Sequence, residues 1–116
     1  MKVSFSPPYI DESVINEVTD SLKSGWITTG PKVKALEQEI VALSGAQHVL
    51  CVNSWTTGAI LMLRWLGVKP GDEVIIPAYT YCATALAVMW AGAKPVMVDV
   101  GEDLNINVEA IRKAIT

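Results

Sequence analysis

Residues 69–98, KPGDEVIIPAYTYCATALAVMWAGAKPVMV, decide the fold. The stretch opens on a Pro-Gly-Asp turn, runs through the apolar residues Val74, Ile75 and Ile76, and breaks at Pro77. It then reads as a helix over residues 80–91 and, past Gly92, as a second short apolar run at 95–98. Neither run alternates apolar with polar residues as a sheet with one wet face would. Both faces of each strand are therefore expected under cover, as in parallel strands joined by right-handed crossover helices.

The same grammar extends in both directions. Upstream, residues 48–52 (HVLCV) form another short apolar run, followed by the polar turn Asn53-Ser54-Trp55-Thr56-Thr57-Gly58 and a helical stretch over 59–66. Downstream, a helix is expected over about 108–115. Three strands alternating with helices predict an α/β fold with a mainly parallel sheet between helices. Two amphipathic helices precede the first strand. Asp11 is a suitable N-cap for one, with Val14, Ile15, Val18 and Leu22 on one face and Gly25 as its stop. Pro31 opens the other, with Val33, Leu36, Ile40 and Leu43 expected inward and Gly45 closing it. An extended, proline-containing arm is expected before them, through Tyr9.

A chain of 116 residues has room for one domain. With 51% apolar and 18% charged residues it is no disordered segment, and it promises more buried surface than a lone domain of this size manages, so a partner or further chain is implied. The net charge is −3 and the nine Lys and Arg residues are scattered, which argues against nucleic acid and anionic membranes as partners. The start carries no signal-type apolar stretch, and no run reaches the ~20 apolar residues of a membrane span, so a soluble, cytoplasmic protein is expected. Cys51 and Cys82 have no metal-ligand spacing and read as reduced thiols.

Two edges of the expected sheet carry possible chemistry. The turn from Ser54 to Gly58 puts hydroxyls and backbone N–H groups at a helix N-terminus, where unpaired amides and the helix dipole favour an anion such as phosphate. Taken alone, capping of the helix by Ser54, Thr56 or Thr57 is the commoner meaning of such a turn. The next strand ends in Pro77-Ala78-Tyr79-Thr80-Tyr81, placing aromatic rings and a hydroxyl where open α/β sheets bind ligands. There Tyr81 is able to stack on a flat ring, and packing beneath a loop is an equal alternative. Asp99, at the end of the third strand, reads as a turn or capping residue. His48 has no nucleophile or ligand cluster beside it in sequence and is assigned no catalysis.

The order of the segments SGWITTGPKVKALEQEI, VNSWTTGA, KPGDEVIIPAYTYCATALAV and GAKPVMVDV resembles the DegT/DnrJ/EryC1/StrS family across essentially the whole chain. The resemblance implies the N-terminal part of the large domain of the aspartate-aminotransferase-like, type I pyridoxal-phosphate (PLP) fold. It also implies an aminotransferase that uses pyridoxal 5'-phosphate to move an amino group from glutamate or glutamine to a nucleotide-linked keto sugar. Such enzymes act in polysaccharide and amino-sugar antibiotic synthesis, and a homodimer or higher homo-oligomer is implied.

Carried over, the cofactor-binding residues are Ser54, Trp55, Thr56, Thr57 and Tyr81, with Thr56 and the Thr57 amide as phosphate clamp and the Tyr81 ring on the pyridine. Trp55 and Thr57 stand where the family usually has smaller residues. Trp26, Thr28, Thr29 and Gly30 fall in the substrate-binding loop near the dimer interface. The family's Schiff-base lysine and the acidic partner of the pyridinium nitrogen belong to later segments. None of Lys2, Lys23, Lys32, Lys34, Lys69, Lys94 and Lys113 matches that lysine, so no catalytic residue is nominated, and no metal.

Residues 1–116 are thus expected to be a partial large domain, without the later strands and the small domain, with an open sheet edge and no activity by itself. Two other readings stay open. One is a sugar dehydratase of the same family, with histidine in place of the lysine; the other is a non-catalytic, self-associating fragment.

Overall fold

The computed structural model describes residues 6–116, so the first five residues of the expected arm lie outside the described residues. The chain divides into two compact units, Met1–Cys51 and Val52–Thr116.

In the first unit, helix α1 spans Glu12–Ser24 and helix α2 spans Pro31–Ser44. Both boundaries of α1 follow the sequence signals. The Asp11 carboxylate accepts from the Val14 N–H at 3.1 Å, and Gly25 ends the helix in the left-handed region (φ 72°). Gly45 does the same for α2 (φ 71°), its N–H donating to the Val41 carbonyl. The short loop between the helices is tied by Lys32, whose ammonium pairs with the Glu17 carboxylate and donates to the Glu17 carbonyl at 2.9 Å.

The Asp11 cap titrates. A hydrogen bond from the Ser13 hydroxyl (2.6 Å), then the Val14 N–H, holds its carboxyl below the ordinary carboxylate value. A folded-state pKa that is depressed stabilises the helix above the unfolded value of about 3.9, and that stabilisation is lost as pH falls through the lower folded value. Fraying of the first turn of α1 is therefore expected in acid, read as loss of the Val14 amide's downfield NMR shift. Asp11→Asn, which caps without titrating, should remove this pH dependence.

The row of α2 expected inward is not inward apart from half-buried Val33, and the apolar face of α1 is also open. Val14, Ile15, Val18 and Leu22, and likewise Leu36, Ile40 and Leu43, are exposed, and neither helix holds a buried residue. Periodicity identifies the apolar face of a helix but not what covers it, and none of the described residues does.

In the second unit, helix α3 spans Trp55–Trp65, strand β1 Glu73–Pro77, helix α4 Ala83–Ala91, strand β2 Lys94–Val98 and helix α5 Val108–Ala114. Strands β1 and β2 pair in parallel, with Glu73 opposite Lys94 and Pro77 opposite Val98. An ion pair between the Lys94 ammonium and the Glu73 carboxylate (2.8 Å) marks the first rung, and the carboxylate raises the lysine pKa through that hydrogen bond. Alternation along the strands puts Val74 and Ile76 on the face that α4 covers. Ile75 lies on the other face, where it lines a hollow with Ala114 and Ile115 at the end of α5. The sheet is thus sandwiched by helices, as the unbroken apolar runs require. Its core is Ile76, Val88 and Ala93, with Leu63, Val68, Val74 and Ala85 packed against them.

One expected strand is missing. Residues 48–52 are irregular and join no ladder, so two strands stand where three are expected. A strand exists through its neighbour's hydrogen bonds, and among the described residues none is offered. Instead the Cys51 N–H donates to the Glu37 carboxylate at 2.8 Å. Among the described residues, no helix is long and apolar enough to cross a membrane.

Candidate functional site

The β1–β2 ladder ends where the Ala78 N–H donates to the Val98 carbonyl at 2.8 Å. Beyond that rung the chain leaves the sheet through Tyr79, Thr80, Tyr81 and Cys82 before α4 begins. This is the carboxyl edge of the parallel pair, the side on which α/β sheets bind ligands. The N-terminus of α3 reaches the same place. Trp55 and Thr56 from α3, with Thr80, Tyr81, Ala83 and Thr84, line one pocket of about 470 Å³. That size is usual for a small-molecule site.

The α3 terminus is built by Ser54. In extended backbone (φ −159°), its Oγ accepts from the Thr57 N–H at 3.1 Å and bonds the Thr57 hydroxyl at 2.9 Å. Its carbonyl accepts from the Gly58 N–H at 3.1 Å. Ser54 and Thr57 therefore lock the turn. The N–H groups of Trp55 and Thr56 have no acceptor among the described residues and remain for an anion, together with the Thr56 hydroxyl. The Thr57 amide is committed to the cap. Close packing at the turn uses Gly58, where a Cβ would lie 3.2 Å from a Val52 methyl.

Two large aromatic side chains line this pocket and stand open, Tyr81 at 79% exposure and Trp55 at 62%. The arrangement offers a polar, hydroxyl-rich corner beside aromatic rings. Thr84 is a pocket residue that sequence reasoning missed. Asp99 keeps to the structural role expected of it, its carboxylate accepting from the Val100 N–H at 2.9 Å.

The loop over residues 26–30 belongs to the first unit and is held by its own tryptophan. The Trp26 indole N–H donates to the Thr29 carbonyl at 3.0 Å, and its backbone N–H to the Ser24 hydroxyl at 3.1 Å. Trp26 and Thr28 line a hollow of about 480 Å³ with Ser21, Ser24, Ile27 and Lys32; Thr29 and Gly30 lie outside its lining. Gly30, buried at the start of α2, is required by close approach: a Cβ there would sit 2.0 Å from the indole nitrogen. Gly30→Ala is therefore expected to expel the indole and lose its hydrogen bond, a cost of about 1 kcal/mol in stability. Thermal melting with tryptophan fluorescence checks this; an unchanged emission maximum would contradict the packing.

Comparison with known proteins gives four results. A family model described as the DegT/DnrJ/EryC1/StrS aminotransferase family matches residues 8–116. The UDP-4-amino-4-deoxy-L-arabinose--oxoglutarate aminotransferase of Shewanella sediminis is 49% identical over 110 residues, which are 94% of this chain and 28% of that protein. Among solved structures, Spr1654 of Streptococcus pneumoniae, named for sugar aminotransferase activity and solved in its PLP form, superposes with a TM-score of 0.89. Its identity is 46%, over 100% of this chain and 30% of its own. The PLP-bound GDP-4-keto-6-deoxy-D-mannose-3-dehydratase of E. coli shares the fold at a TM-score of 0.84 and 27% identity, over 95% of this chain and 30% of its own. The chain thus spans somewhat under a third of the length of these relatives.

Proposed function

The chain belongs to the DegT/DnrJ/EryC1/StrS aminotransferase family, and from that membership we propose that it supplies the N-terminal part of the large domain of a PLP-dependent enzyme that aminates a nucleotide-linked keto sugar. Glutamate or glutamine is the amino donor in this reading. Support for transfer over dehydration comes from the likeness itself, since identity is 49% and 46% to proteins named as aminotransferases and 27% to the dehydratase.

The single observation that carries the reading is the pocket at the carboxyl edge of the sheet, where Trp55 and Thr56 at the start of α3 line one space with Tyr81. Its residues fit a phosphorylated pyridine. The N–H groups of Trp55 and Thr56 and the Thr56 hydroxyl are donors for a phosphate, and the α3 dipole adds to their pull. Ser54 and Thr57 hold those donors in place through their mutual hydrogen bonds. The Tyr81 ring would provide a flat surface for the pyridine, with Trp55 lining the same pocket. When bound, pyridoxal phosphate supplies the electron sink that makes carbon–nitrogen exchange possible. The loop of Trp26, Thr28, Thr29 and Gly30 is the sugar-binding element in this reading, with the Thr28 and Thr29 hydroxyls as hydrogen-bonding groups. The exposed apolar rows of α1 and α2 are surfaces for the remainder of a homo-oligomeric, cytoplasmic enzyme.

The experiment is amination by the whole enzyme that carries this chain, with isotopically labelled glutamate or glutamine and a nucleotide-linked keto sugar. Label is expected in the sugar product. A product that has lost a hydroxyl and carries no label would replace transfer by dehydration.

A further inference from the structure

Tyr81 is exposed over most of its ring, so side-chain packing does little to hold it in one orientation. Whatever orders it must act through its backbone. Cys82, at the N-cap of α4, makes no side-chain capping bond, so the usual device for fixing a helix start is absent. Two bonds tie residues 80 and 81 to the helix, and both end on Thr84. The Thr84 N–H donates to the Tyr81 carbonyl at 3.0 Å, and the Thr84 hydroxyl pairs with the Thr80 hydroxyl at 2.9 Å. Tyr81 is thus bracketed, with its own carbonyl and the side chain before it both tied to one half-buried residue of α4.

We propose that Thr84 is a positioning residue for Tyr81: its hydroxyl bridge to Thr80 sets the turn that presents the Tyr81 ring to the pocket. This rests on the reading of that pocket as the PLP site. Because Thr80, Tyr81 and Thr84 all line it, a change in the bridge is felt as a change in ligand affinity. The bridge is one hydrogen bond between half-solvated groups, so its loss costs little in folding but frees the turn to sample other conformations.

The test is the dissociation constant of pyridoxal phosphate, read by its absorbance and by tryptophan quenching, for the whole enzyme and its variants. Thr84→Val should weaken binding about fivefold, the worth of one net hydrogen bond. Thr84→Ser, which keeps the hydroxyl, should stay within about twofold. Thr80→Val should match Thr84→Val, and the two together should be no worse than either, since both delete the same bond. In a Tyr81→Ala background, Thr84→Val should have no further effect, because nothing is left to position. Thermal melts of each variant separate a lost fold from a lost orientation.

The proposal is overturned if Tyr81→Ala weakens binding while Thr84→Val does not. It is also overturned if the Thr84→Val effect persists without Tyr81, or if Thr84→Ser fails to rescue. If Tyr81→Ala itself leaves affinity unchanged, the cofactor reading falls first and takes this inference with it.

Discussion

Ile76→Ala is expected to destabilise the Val52–Thr116 unit by about 2–5 kcal/mol, the cost of truncating a buried aliphatic side chain to a methyl. The site gives little room for recovery. Ile76 is 4% exposed, the most buried residue of β1, and packs with Val88 (2%) and Ala93 (7%). Few large side chains share the load: Val88 and Val98 are the other buried ones, and the remaining core positions are alanines. Leu63, Val68 and Val74 close in from the side but are only partly buried, so a cavity at Ile76 opens toward their edges without being filled. Whole domains hold only about 5–15 kcal/mol of net stability, and a loss of this size is a large share of it.

The matched control is Met97→Ala. Met97 is the register partner of Ile76 on β2, and its side chain is exposed, so its truncation should cost no more than about 0.5 kcal/mol. Urea unfolding of the two variants decides the matter. Equal midpoints would mean that the unit draws its stability from elsewhere than the β1–α4 contact.

The β1–α4–β2 unit is legible in residues 69–98 because every level of description agrees there. Gly71 and Gly92 adopt positive φ at the two turns, the apolar runs are too short for helices, and residues 83–91 lack the polar face of a surface helix. The run at 48–52 is short and apolar like the middle of β1 and does not become a strand. Composition reports a preference for extended, buried backbone, and the ladder partner that converts preference into structure is a long-range fact.

The helix caps of α1 and α2 are readable because Asp11, Gly25, Pro31 and Gly45 act within one turn of themselves. The inward assignment of Leu36, Ile40 and Leu43 is not, because what covers an apolar face lies far away in sequence. At the pocket, Ser54 is legible as the cap of α3, and Tyr81 as a residue just past the end of β1. Thr84 is not, since a threonine in the first turn of a helix usually has no partner beyond its own helix. Only the path of the chain from Pro77 into α4 brings Thr80 beside it.

Tyr81→Ala is expected to weaken binding of pyridoxal phosphate by the whole enzyme roughly 5–150-fold, the equivalent of the ~1–3 kcal/mol that stacking of a flat heterocycle on an aromatic side chain contributes. The magnitude follows from what the pocket offers the ring. Ala83 is small, and the Thr80 and Thr84 hydroxyls bond each other, which leaves the Tyr81 and Trp55 rings as its broad apolar surfaces. Of the two, Trp55 is in the first turn of α3 next to the open amides, so in the proposed reading Tyr81 is the ring left for the pyridine.

Tyr81→Phe keeps the ring and should bind within about twofold of the unaltered protein, which separates stacking from any role of the hydroxyl. Thr56→Val deletes one donor to the phosphate while the amides remain, and its loss should be about fivefold, smaller than that of the ring. This order of effects, Tyr81→Ala above Thr56→Val above Tyr81→Phe, is the signature of a phosphate held by a helix terminus and a ring held by stacking. If Tyr81→Phe proved as damaging as Tyr81→Ala, the phenol oxygen would be the contacting group, and the pocket would recognise a hydrogen-bonding ligand instead of a flat one.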